Sequence, residues 1–117
     1  MNIASIGTNY AFLRNAQSFG SIYTDSYVKQ ACGLTDSDIA KINSKCPRGL
    51  DVYVYDFGTD GHHIEVARAN VRYNGVVHMP RDFDMYYNCA DTYNARKRGK
   101  SNFINCMNEI IENSKNW

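Results

Sequence analysis

Apolar residues recur with two different periods along this chain, and the changes of period divide it into three blocks. Up to about Lys45 the spacing is helical. Tyr10, Phe12 and Leu13 open a short amphipathic piece, Ser21 to Cys32 predict a second, and Gly33 is its stop. Thr35 and Asp38 stand in the relation of a capping box, with Asp in place of Glu, and Ile39 and Ile42 share one face of a helix predicted over 36–45.

Between Asp51 and Met79 the period falls to two. Asp51 to Phe57, His62 to Tyr73 and Val76 to Met79 are rich in β-branched and aromatic residues, and the punctuation Gly58 to Gly61 and Asn74-Gly75 separates them as three antiparallel strands. Asn74-Gly75 is the signature of a two-residue type I′ turn, because both positions must take positive φ, and it places His78 opposite Val71. Counting across the first connection pairs Phe57 with His62, Asp56 with His63, Tyr55 with Ile64 and Tyr53 with Val66. Tyr53, Tyr55, Phe57, Ile64 and Val66 then form the face expected to meet the helices. Val52, Val54, Asp56, His63, Glu65 and Ala67 form the other. In the central strand Ile64 and Val66 hold one parity while Ala67, Ala69, Val71 and Tyr73 hold the opposite one, which predicts a bulge near Val66 to Arg68 or burial of both faces. A buried second face would admit a partner, and a homodimer is one form of that contact.

After Pro80 the helical period returns. Asp82 or Asp84 caps a helix carrying Phe83, Tyr86, Tyr87, Ala90 and Tyr93 that ends near Gly99, and Ser101 caps a last helix with Phe103, Cys106, Met107, Ile110 and Ile111 on one face. Helices, strands, then helices predict a single α+β domain over 1–117, with a small three-stranded antiparallel sheet at about 51–79 flanked by N-terminal and C-terminal helices.

Composition changes this picture in two ways. Three leucines against nine tyrosines and five phenylalanines mean that aromatics carry much of the packing, and tyrosines also serve as rigid anchors on a recognition surface. Cys32 and Cys46 bracket one predicted helix, while Cys89 and Cys106 sit on two others. Bridges 32–46 and 89–106 would each lie within one local unit, and loops of that size give roughly 3 kcal/mol each. A stapled domain implies an oxidising compartment, periplasmic or extracellular. Met1 to Gly7 lacks a basic segment followed by an apolar one, so in this reading the signal peptide has been removed.

No stretch approaches the roughly 20 apolar residues of a membrane span. The net charge of +1 gathers neither nucleic acid nor anionic lipid. Arg96-Lys97-Arg98 with Lys100, between Tyr93 and Phe103, is explained by cations favoured at a helix C-terminus, so nucleic acid is not an expected partner.

His62, His63 and His78, with Glu65, Asp56 and Asp60, are the candidates for chemistry. His78 opposite Val71 keeps it about 20 Å from Glu65 and His63 at 3.3 Å per residue, and the cysteines stand far apart without neighbouring histidines, so neither a metal nor a cofactor is expected. Asp56 and His63 form an acid–imidazole pair beside Glu65, but no Gly-x-Ser-x-Gly or phosphate loop accompanies them.

Two functions follow. The first is an exported binding protein, such as an inhibitor or immunity protein that occludes a hydrolase or toxin. It would grip its partner through the loops at Asp60, His62 and His63 and at Arg81, Asp82 and Asp84. The alternative is a small secreted hydrolase or nuclease toxin domain with His63, Asp56 and Glu65 as catalytic residues.

Overall fold

The structure, a computed structural model, describes residues 20–61, 64–86 and 92–117. Strand β1 (Ser21–Thr24) is followed by helices α1 (Ser26–Ala31) and α2 (Asp36–Asn43), strands β2 (Leu50–Thr59), β3 (Glu65–Tyr73) and β4 (Val76–Asp84), and helix α3 (Thr92–Ser114). Among the described residues the sheet has four strands in the order β1-β2-β3-β4, with β1 parallel to β2 and the other neighbours antiparallel. It is α+β as expected, but mixed and four-stranded rather than three-stranded and antiparallel.

The extra strand lies where a helix is expected. Ile22, Tyr23 and Thr24 are β-branched or aromatic, and the helix starts only after Asp25, whose extended backbone (φ −71, ψ 164) and side chain cap it, Oδ1 accepting from Val28 N–H at 2.8 Å. Asn43 Oδ1 accepts Ile22 N–H at 2.7 Å and ties β1 to the end of α2. Gly33 (φ +60) stops α1 as expected. The capping box of α2 forms, with Thr35 N–H donating to Asp38 at 2.8 Å and Asp38 N–H donating to Thr35 Oγ1 at 3.1 Å.

Both positions of the Asn74-Gly75 turn have positive φ, 51 and 82, and Val71 pairs with His78, so this hairpin matches its expectation. The other hairpin is slipped by four residues: Tyr53 pairs with Asn70 and Asp56 with Ala67. A slip by an even number preserves which residues share a face. A register shift between Asp56 and Gly58 lies opposite Val66 and Ala67, so the expected bulge forms on the neighbouring strand.

Which face is covered is the reverse of the expectation. Ile22, Val52, Val54, Ala67, Ala69 and Val71 are buried in one cluster with Val28 and Ala31 of α1 and Phe103, Met107 and Ile110 of α3. Small side chains at Ala67 and Ala69, both fully buried, let the helices approach that face closely. The expected α3 stripe, Phe103, Cys106, Met107, Ile110 and Ile111, is buried throughout. Two predicted helices are instead one of 23 residues, and Gly99 and Ser101, read as a stop and a cap, lie inside it. The cap expected at Asp82 or Asp84 is absent because β4 continues past Pro80 to Asp84.

The expected bridges are absent: Cys32, Cys46 and Cys106 are free thiols, and Cys89 lies outside the described residues. Cys32 caps the end of α1 and Cys46 follows the end of α2, and the two are not within bonding distance. The break expected at Gly99 between the two helices that were to carry 89–106 is absent, because α3 runs through it. The export expectation loses the support it drew from these bridges.

Burial pushes the Cys32 thiol up to about 12 and the Cys46 and Cys106 thiols up to about 11, with Asp51 adding to the effect at Cys46. In the unfolded chain these thiols ionise near pH 9, so the folded state holds protons that the unfolded state has released. The stability they contribute is complete below that pH and is lost as pH rises through 11 to 12. Melting temperature is expected to be level between about pH 7 and pH 8 and to fall above about pH 9, with a shallower fall in Cys32→Ala. Calorimetry across that range checks both slopes, and equal slopes in the two proteins would refute the assignment to Cys32.

Candidate functional site

The sheet face turned away from the helices carries three rows of side chains. Register places Asp51, Arg72 and Val77 in one row, Tyr23, Tyr53 and Asn70 in the next, and Tyr55, Arg68 and Asp82 in the third. The alternation of each strand puts these residues there while their neighbours enter the core. Tyr23, Tyr53 and Phe57 are 49%, 46% and 52% exposed.

The rings are ordered against one another. Tyr23 and Tyr53 stack across β1 and β2 with centroids 4.8 Å apart and planes 12° apart, and Tyr55 meets Phe57 edge-on at 6.4 Å. Arg68 lies between a ring and a carboxylate: its Cζ is 3.5 Å above Phe57, and its Nε and Nη2 donate to Asp82 at 2.8 and 3.0 Å. The guanidinium holds the Asp82 carboxyl below the usual carboxylate range, chiefly through these hydrogen bonds. A bidentate pair stacked on a ring fixes both side chains in one geometry, which ordinary surface pairs do not.

Such a face can bind by contact. Aromatic rings held in place bury a large area with little loss of rotamer freedom, while tyrosine hydroxyls and the Arg68–Asp82 pair supply directional partners. Charges within the rows occur in both signs, Arg68 and Arg72 against Asp51 and Asp82, so the face attracts no polyanion by field alone.

The residues expected from sequence are placed differently. Asp60 Oδ1 accepts Ile64 N–H at 3.0 Å and shapes the loop. His62 and His63 lie outside the described residues. Arg81, Asp82 and Asp84 belong to β4 rather than to a loop, and each is engaged within the fold: Arg81 pairs with Glu109, Asp82 with Arg68, and the Asp84 carbonyl accepts from Asn102 Nδ2 at 3.0 Å. Asp56 faces Ala67 rather than His63 in the register, and its Oδ1 accepts Gly58 N–H at 3.3 Å. Glu65 pairs with Thr59 and accepts from the Tyr27 hydroxyl at 2.5 and 2.6 Å, which ties β3 to α1. The two described carboxylates of the expected catalytic set therefore serve loop and helix attachment.

The basic run lies in the first half of α3, not at a helix end. Lys100 pairs with Asp38 at 3.1 Å, and the Arg98 Cζ stacks 3.9 Å from the Tyr86 ring. Among the described residues no group of three His, Cys, Asp or Glu side chains converges as metal ligands, and no helix is long and apolar enough to cross a membrane.

Sequence reasoning missed Tyr23 by assigning it to a helix, and it missed Arg68 by turning the wrong face outward. The signal was present in Arg68, Asn70 and Arg72, polar at alternate positions of one strand, opposite the small apolar Ala67, Ala69 and Val71. Comparison with known protein families, with curated proteins and with solved structures gives no match.

Proposed function

We infer that this chain is a protein-binding module that holds its partner against the open sheet face of Tyr23, Tyr53, Tyr55, Phe57 and Arg68. The observation that carries the reading is a set of half-exposed aromatic residues on the one sheet face that the helices leave uncovered. Rings already stacked on each other, and an arginine already clamped between Phe57 and Asp82, are preorganised, and preorganisation lowers the entropy lost on association. An inhibitor or immunity protein that occludes a hydrolase or toxin is the narrower form of this reading, since occlusion requires a fixed surface and no bond-making residue.

The test uses variants that leave the core untouched. Immobilised wild-type protein is expected to retain a partner from the native extract, and Tyr53→Ser and Phe57→Ser are each expected to weaken that retention at least tenfold, about 1.4 kcal/mol or more, while losing about 1 kcal/mol or less of stability with the ring contacts to Tyr23 and Arg68. Titration calorimetry with the purified partner gives the size of the loss. Retention that is equal for wild type and both variants would remove the open face from the function.

A further inference from the structure

A second apolar patch lies at the free edge of the sheet, where Val77 ends one row of the open face. Val76, Val77 and Met79 are 59%, 69% and 81% exposed on β4, which has no neighbouring strand on its outer side among the described residues. Trp117 is stacked on His78 beside them, with centroids 3.8 Å apart and planes 14° apart, and is 43% exposed. No charged residue occurs between Asn74 and Pro80, so this stretch lacks the lysines that usually keep sheet edges apart.

Backbone alternation says what the edge can take. Tyr73 and Val76 close a two-residue turn and are therefore a hydrogen-bonded pair. The next residue along β4, Val77, turns its N–H and C=O away from β3, and a register shift between Ala69 and Val71 then leaves Met79 and Pro80 together opposite Asn70, without partners in the ladder. Farther along, the edge is closed, because Asn102 of α3 donates to the Asp84 carbonyl at 3.0 Å and Arg81 pairs with Glu109.

We propose that the Val76–Met79 edge pairs with the same edge of a second copy, antiparallel about a two-fold axis at His78, so that two four-stranded sheets become one. The register follows from self-complementarity. With His78 opposite His78 of the second copy, Val77 meets Met79 and Met79 meets Val77, so every outward backbone group finds its counterpart and the apolar side chains meet each other. Val76 then stands opposite Pro80, whose missing N–H matters little there because the Val76 backbone is already bonded to Tyr73. A foreign strand would satisfy the same groups, but the two-fold needs no second sequence and leaves no charge facing an apolar residue. The shared edge is shorter than a standard interface, so the dimer is weak and concentration-dependent. It uses none of Tyr23, Tyr53, Tyr55, Phe57 or Arg68.

Sedimentation equilibrium on the full chain from micromolar to millimolar concentration tests the proposal. A monomer–dimer equilibrium is expected, weakened at least tenfold by Val77→Lys, an exposed position where lysine leaves the fold intact, and unchanged by Tyr53→Ser. His78 of the two copies forms a non-hydrogen-bonded pair with Cα atoms about 4.5 Å apart, which is within disulfide range. His78→Cys is therefore expected to cross-link under mild oxidation, giving a 78–78 linked peptide by mass spectrometry. A chain that stays monomeric at millimolar concentration overturns the proposal. So does a dimer that Val77→Lys leaves intact, or one in which His78→Cys forms no 78–78 bridge.

Discussion

Phe103→Ala is expected to lower the free energy of unfolding by about 3–5 kcal/mol, measured as a shift of the urea midpoint at constant slope. Phe103 has no exposed surface, stands in the middle of α3, and meets Phe83 edge-on at 5.8 Å with planes 76° apart. Its removal takes away the contact with β4 and leaves a cavity in the buried cluster. Domains of this size commonly have only about 5–15 kcal/mol of stability in all, so the variant is expected to sit near its unfolding midpoint at modest urea. Ile104→Ala, one residue along and half-buried, is the comparison and should lose clearly less. Equal losses at the two positions would mean that α3 does not pack in the register described.

Gly99→Ala is expected to destabilise the protein by about 2 kcal/mol, although alanine is intrinsically favoured over glycine inside a helix by about 1 kcal/mol. The sign is set by one contact. A Cβ at Gly99 would lie 2.5 Å from the Met85 carbonyl oxygen and 3.5 Å from Cys32 Sγ, and the oxygen belongs to backbone that cannot turn aside as a side chain would. Glycine is therefore required in mid-helix by close approach of another segment rather than by a turn. Gly61→Ala, at a position with nothing within 4 Å of the added carbon, should change stability by less than about 0.5 kcal/mol. Thermal or urea unfolding of the two variants decides the matter, and a stabilised Gly99→Ala would show that Met85 is not held against α3.

The glycine also explains why one long helix read as two. By local rules Gly99 followed by Ser101 is a stop and a cap, and both rules are sound for a helix that ends in water. Here the interruption carries no turn. The pressure on residue 99 comes from Met85 and Cys32, distant in sequence, and nothing in the local pattern reports it. A similar reason lies behind Pro80. Proline terminates a central strand but is tolerated on an edge, and β4 is an edge, so the strand passes through Pro80 to Asp84 and turns three expected loop residues into sheet residues.

The thiols show how a sound premise can lead to bridges that do not form. Two cysteines bracketing one predicted helix and two sitting on others suggested bridges, yet bridging depends on through-space distance, which spacing along the chain does not report. Buried cysteine behaves as a small hydrophobe, and Cys32 and Cys106 fill that role in the cluster under the sheet.

Some features were legible in the chain because their causes are local. The positive φ that only residues such as Asn and Gly accept made the 74–75 turn and its Val71–His78 register certain to recur. Side chains three and four apart share a helix face whatever surrounds them, so the stripe from Phe103 to Ile111 and the Thr35–Asp38 box also matched. Other features were settled by contacts between distant segments. Alternation divides a strand into two faces but does not say which one the helices choose. That choice went to Val52, Val54, Ala67, Ala69 and Val71, whose small or β-branched side chains admit helices closely, and the bulkier tyrosines were left outside. The candidate binding face is the consequence: its members were readable as an alternating set, but their exposure follows from the packing of α1 and α3 on the opposite side, a long-range event without a counterpart in any short stretch of sequence.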